Sequence, residues 1–143
     1  IYSINQKHFL FLPLQKLFVD LNKIYKRIAQ AIKGVATKKF KNIQTVILTG
    51  SLVQGAVRED IIEKPSDIDL TFVVKKDENV KQVKNFLLDY INKEISLKYG
   101  IISYPFVISK KEYLKRLNKR DPFILNAYTE GEIIYGKKPR RFS

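Results

Sequence analysis

The residue types able to do chemistry in this chain gather between Leu48 and Val74, LTGSLVQGAVREDIIEKPSDIDLTFVV. Asp67 and Asp69 stand two apart in a segment that reads as a strand, and side chains at i and i+2 of a strand share one face. Both carboxylates therefore project together, while Ile68 and Leu70 point the other way into a core. Paired carboxylates on one face make a divalent-metal geometry. The chain has no cysteine and a single histidine, His8, so thiolate sites and imidazole clusters are excluded. A metal here is expected to be held by oxygen, which favours Mg²⁺ or Mn²⁺. Gly50-Ser51, at the end of the preceding apolar run, offers free backbone N–H groups, a hydroxyl and no Cβ at its first position, a turn suited to phosphate. Phosphate grip and metal carboxylates within one strand–helix–loop–strand unit point to chemistry on a nucleoside triphosphate.

The flanking sequence supplies elements to position these groups. Leu14, Leu17, Phe18, Leu21, Ile24, Tyr25, Ile28, Ala31 and Ile32 recur at helical spacing between Pro13 and Gly34, predicting a long amphipathic helix over 14–33 whose apolar stripe is core. Ile43–Thr49 is β-branched and nearly continuous in apolar residues, a strand buried on both faces. A short helix is expected over 52–57, a charged loop containing Pro65 over 58–66, and a second strand over Ile68–Val74. Val80, Val83, Phe86, Leu87, Tyr90, Ile91 and Ile95 predict a second long helix over 78–98, closed at Gly100. A third strand over 101–108 contains Pro105, which places it at an edge. Ser109 with Glu112 forms a capping box opening a helix to Asn118, and Asp121-Pro122 opens another to Glu130-Gly131, ahead of a short strand over 132–135. The expected fold is α/β: a small mixed sheet of three to four strands packed by two long helices. We read one domain over 1–143, with the N-terminal helix at 14–33, a core at 43–109, and C-terminal helices and strand at 110–136.

With 143 residues, 45% hydrophobic and 12% aromatic, the composition is that of a globular protein and argues against disorder. No apolar run approaches the roughly 18 residues of a membrane span, so a soluble, cytoplasmic protein is expected. The chain begins at Ile1 and holds no methionine, so a short preceding piece is expected. Its 27 Lys+Arg against 14 Asp+Glu give a net charge of +13, which implies an anionic partner (nucleic acid, nucleotide or acidic protein) or a solvated lysine-rich surface. Lysines are scattered along every segment; only Lys137-Lys138-Pro139-Arg140-Arg141 is a run, and it reads as a frayed terminus.

Gly50-Ser51 followed on the next strand by Asp67-Ile68-Asp69 resembles the signature of the nucleotidyltransferase superfamily typified by DNA polymerase beta. The arrangement Gly50, Ser51, Gly55, Ser66, Asp67, Asp69 is similar to that of its short single-domain members, the minimal nucleotidyltransferases. The segment 122–135, PFILNAYTEGEIIY, resembles their closing segment, and the likeness covers roughly residues 40–136. The resemblance implies a nucleotidyltransferase fold, with Gly50 and Ser51 on the β- and γ-phosphates of a nucleoside triphosphate, ATP first. Asp67 and Asp69 would bind one or two Mg²⁺ ions while a hydroxyl attacks the α-phosphorus in line. It further implies a HEPN-type partner protein, as acceptor or toxin, for an antitoxin-like member of the group.

One part of the pattern is missing. Active members carry a third carboxylate on the following strand, and the matching 101–108, IISYPFVI, contains no acid; Ser103 or Tyr104 stands near its place. Asp89, Glu94 and Glu112 read as solvated helix faces. Arg58, Lys64 and Lys75 could meet triphosphate, and Tyr104, Tyr113 and Tyr128 could stack a base, although surface and core are the commoner fates of such residues. Two functions from different classes follow. One is Mg²⁺-dependent nucleotidyl transfer; the other is a catalytically degenerate module of the same fold that binds nucleotide, nucleic acid or a protein.

Overall fold

The computed structural model describes residues 9–50 and 68–140. Ser51, Gly55, Arg58, Lys64, Ser66 and Asp67 lie outside them, as does the short helix expected over 52–57.

Four strands form one mixed sheet in the order β3-β2-β1-β4. β1 (Ile43–Thr49) and β2 (Ile68–Val74) are its centre, and both are buried at six of seven positions. They are antiparallel, with Thr49 opposite Asp69 and Leu48 opposite Leu70. β3 (Ser103–Ser109) runs parallel to β2 on one edge, as Pro105 requires of a residue lacking an N–H. β4 (Glu132–Gly136) lies antiparallel to β1 on the other edge.

The two faces carry different helices. Val46, Leu48, Ile68, Leu70, Phe72 and Val74 meet α1 (Phe11–Lys39) and α2 (Val80–Tyr90) in the larger core. α2 continues through a π-helical turn, Ile91–Ser96, and one last turn, Leu97–Tyr99, before Gly100 ends it at φ +66. Ile47, Val73 and Ile108 face the opposite way and meet α3 (Lys110–Asn118) and α4 (Pro122–Glu130) around Tyr113, Leu117 and Ile124. Both short helices begin where the sequence places them. The Ser109 hydroxyl accepts from the Glu112 N–H at 3.2 Å, and the Asp121 carboxylate accepts from the Phe123 and Ile124 N–H groups at 3.0 and 3.2 Å.

Two expectations are corrected. α1 spans Phe11–Lys39 instead of 14–33, because Pro13 falls in the first turn, where its missing N–H has no partner to lose, and Gly34 is carried through. Its stripe is core only from Ile28 onward, where Ile28, Ala29, Ile32 and Ala36 are buried. Leu14, Leu17, Phe18 and Ile24 stand exposed, because α1 overshoots the sheet it packs on. The basic tail is also no frayed end through Arg140. The Thr45 hydroxyl donates to the Lys137 carbonyl at 2.6 Å, and Pro139 is buried.

Candidate active site

β1 delivers Gly50 and β2 delivers Asp69 to one end of the sheet. Gly50 follows the last residue of β1 at φ +93, a conformation that residues with a Cβ rarely adopt. The position needs glycine for a second reason: a Cβ there would lie 2.6 Å from Asp69 Oδ2. The structure thus brings together the two described members of the site read from the sequence, with a carboxylate oxygen seated against the turn. Asp69 is half-buried while its neighbours Ile68 and Leu70 are fully buried in the α1–α2 core. That is the alternation expected of a carboxylate-bearing strand.

Register fixes what surrounds the carboxylate, because residues paired across a sheet share a face. Asp69 pairs with Thr49 on one side and Tyr104 on the other. Of the two residues expected near the place of a third acid, Tyr104 therefore stands beside Asp69, half-exposed. Ser103 pairs with Ile68 instead, and its buried hydroxyl donates to the Ile68 carbonyl at 2.9 Å, a structural bond across β2 and β3. Next along the same face, Thr71 pairs with Phe106. The Thr71 hydroxyl is buried without a hydrogen-bond partner among the described residues.

Thr49 and Thr71 are site-face residues that motif reading passes over. Their signal is the apolar–polar alternation of Ile68 to Phe72, which puts Thr71 on the face of Asp69, and the β1–β2 pairing that adds Thr49. Beyond Phe106 the face is closed by Phe123, with ring centroids 5.0 Å apart, and by the Arg116 guanidinium, 5.5 Å from the Phe106 ring centre. Arg116 is committed to Asp121, reaching Oδ2 through Nε at 3.0 Å and through a terminal nitrogen at 2.8 Å. That hydrogen bond is the main cause holding the Asp121 carboxyl below the ordinary carboxylate range, followed by the backbone N–H of Ile124.

The other candidates sort clearly. Asp89 is paired with Lys93 at 3.0 Å on the exposed side of α2, and Glu94 and Glu112 are exposed, as solvated faces should be. Tyr113 is fully buried and belongs to the α3–α4 core, so it stacks no base. Lys75 does not flank the site: it leaves the far end of β2, six residues beyond Asp69. Among the described residues no three His, Cys, Asp or Glu side chains converge on a point where they could hold a metal. Among them too, no helix is long and apolar enough to cross a membrane.

No protein-family model matches the sequence, and no curated protein does. Among solved structures the chain is similar to a presumed nucleotidyltransferase from Sulfolobus solfataricus, at 16% identity and a TM-score of 0.53, over 84% of this chain and 87% of that one. The chain has the nucleotidyltransferase fold. At that identity the likeness speaks for architecture alone: a four-stranded mixed sheet with helices on both faces.

Proposed function

We propose that the Gly50–Asp69 end of the sheet transfers a nucleoside monophosphate from a Mg²⁺-bound nucleoside triphosphate, ATP first, to an acceptor hydroxyl. The observation that carries this reading is the Asp69 carboxylate oxygen, 2.6 Å from where a Gly50 Cβ would be, within a nucleotidyltransferase fold. A glycine turn open to phosphate and a metal-type oxygen donor belong to one surface there. Asp69, with Asp67 two residues before it, would hold Mg²⁺ or Mn²⁺, a donor set of oxygens that suits a hard cation. Such a cation, once bound, neutralises phosphate charge in the transition state, an effect worth several kcal/mol. Gly50 and Ser51 would grip the β- and γ-phosphates, with Gly55 and Ser66 as further nucleotide-binding residues. The acceptor oxygen bonds to the α-phosphorus, the bond from that phosphorus to the bridging oxygen breaks, and pyrophosphate leaves while the hydroxyl proton passes to a base. Because Tyr104 stands beside Asp69 where an acid would complete the site, that base comes from outside β3. A hydroxyl on a HEPN-type partner protein, as for minimal nucleotidyltransferases, is the acceptor class that the resemblance favours.

The same Tyr104 favours a second reading, a degenerate module that binds nucleotide without turning it over. One measurement separates them. Under the first, labelled ATP is incorporated into acceptor with Mg²⁺ and pyrophosphate is released, and Asp67→Asn/Asp69→Asn abolishes both. An unchanged rate in the double variant removes the site assignment. Mg²⁺-dependent ATP binding with no pyrophosphate selects the module.

A further inference from the structure

At the opposite end of the sheet from Gly50, about 20 Å away along a seven-residue strand, lies an open groove of about 780 Å³. Six cations from four separate parts of the chain line it: Lys41 before β1, Lys75 after β2, Lys110 at the start of α3, and Lys137, Lys138 and Arg140 after β4. Among the described residues no carboxylate lines it. These are not whips on a loose surface, because the backbone beneath them is tied down. The Lys75 N–H donates to the Asn42 carbonyl at 2.9 Å. The Thr45 hydroxyl holds the Lys137 carbonyl, and buried Pro139 pins the segment that carries Lys138 and Arg140. Lys138 Nζ lies 4.0 Å from the centre of the Tyr128 ring.

A fold that converges cations from four parts of the chain on one groove raises the local potential at a cost in self-repulsion, which an anionic ligand relieves. The number and spread of cations exceed what one phosphate group can meet. Tyr135 also lines the groove and is 38% exposed, offering an aromatic face among the cations. Basic groove plus exposed aromatic is the pattern that tracks a phosphodiester backbone while a base stacks. We propose that this groove is a docking site for single-stranded nucleic acid. The inference does not depend on nucleotidyl transfer, since its residues lie at the other end of β1 and β2.

The test is fluorescence anisotropy with labelled dodecamers of uridylate and of thymidylate, across a salt series and without Mg²⁺ or ATP. The wild-type chain should bind at low salt with log affinity falling linearly in log salt. Lys41→Gln/Lys75→Gln/Lys137→Gln should lose affinity about tenfold or more and flatten the salt slope by about two, three contacts at ~0.7 each. Lys16→Gln/Lys81→Gln/Lys84→Gln removes the same charge from exposed positions on α1 and α2 and should leave both quantities near wild type. All variants are checked for folding by circular dichroism, and Tyr135→Ala, which keeps every charge, should weaken binding at unchanged slope. Equal losses in the two lysine triples overturn the groove in favour of diffuse charge. Competition by oligoglutamate of matched charge as effective as by unlabelled oligonucleotide overturns nucleic acid in favour of an acidic protein, and absence of binding at low salt overturns the site. The Asp67→Asn/Asp69→Asn protein should bind as wild type, so failure of the transfer reading and failure of the groove are distinguishable; loss of binding in it would place the strand at the wrong end.

Discussion

Gly50 shows how one missing methyl group can couple backbone and chemistry. At φ +93 an alanine incurs left-handed strain of roughly 1–2 kcal/mol, and its Cβ would displace a carboxylate oxygen from 2.6 Å away. The two effects predict different readouts. Gly50→Ala should fold, with a melting temperature lowered by several degrees. Under the proposed transfer reaction it should also lose roughly 10²-fold in rate, the scale expected when a reacting group is misplaced by about an ångström. Ser51→Ala, which removes a single hydroxyl, should cost much less. If Gly50→Ala retains full Mg²⁺-dependent incorporation, the turn and Asp69 are not parts of one site. The close approach was not legible in the sequence, which offered Gly50 as a phosphate turn and Asp69 as a metal carboxylate; only the β1–β2 register, Thr49 opposite Asp69, sets them against each other.

At the scale of elements, the α3–α4 cover rests on Tyr113, fully buried against the sheet with no partner for its hydroxyl among the described residues. Burial, with a smaller contribution from Tyr128, pushes this hydroxyl up from 10.0 to about 12. The fold therefore favours the neutral phenol, so the contribution to stability is whole below pH 10 and drains away as pH rises from 10 towards 12. Tyr113→Phe keeps the ring and deletes the unpartnered hydroxyl. It should leave neutral-pH stability unchanged or higher by about 1 kcal/mol, and it should reduce the fall in denaturation midpoint above pH 10. A loss of stability at neutral pH would reveal a hydrogen-bond partner for the hydroxyl. Elements of this kind were readable: caps at Ser109 and Asp121, the edge position of β3 and the end of α2 at Gly100 all follow from single-residue stereochemistry. What periodicity could not tell is whether anything covers an apolar stripe. It marks Leu14, Leu17 and Phe18 as one face, but their burial depends on the sheet reaching them, and it does not. For the same reason the tail looked frayed: nothing local announces that Thr45, far away in sequence, will hold the Lys137 carbonyl.

Across the whole molecule, 27 basic against 14 acidic side chains leave thirteen cations without any possible acidic counterpart. The ion pairs among the described residues do little to offset this. Lys26–Glu132, Lys76–Glu78 and Lys93–Asp89 join exposed groups, and such pairs contribute about 0–1 kcal/mol each; the fourth, Arg116–Asp121, is partly buried. Repulsion is longer-ranged than these contacts, so it should govern the response to salt. Raising ionic strength from about 0.01 to 0.15 M shortens the screening length from about 30 to 8 Å, which weakens repulsion between separate surface lysines more than it weakens pairs in contact. The melting temperature should therefore rise by a few degrees over that range. Sulfate, multivalent and able to sit among the groove cations, should raise it further than chloride at equal ionic strength. In the lysine triple made on the groove the advantage of sulfate should shrink, while the triple on α1 and α2 keeps it. A melting temperature that falls with salt would mean that ion pairs outweigh repulsion. The opposite signs expected of one salt series, stability rising while strand binding falls, tie the charge of this chain to an anionic partner: the surface is least comfortable where salt is low, and there it should hold nucleic acid most tightly.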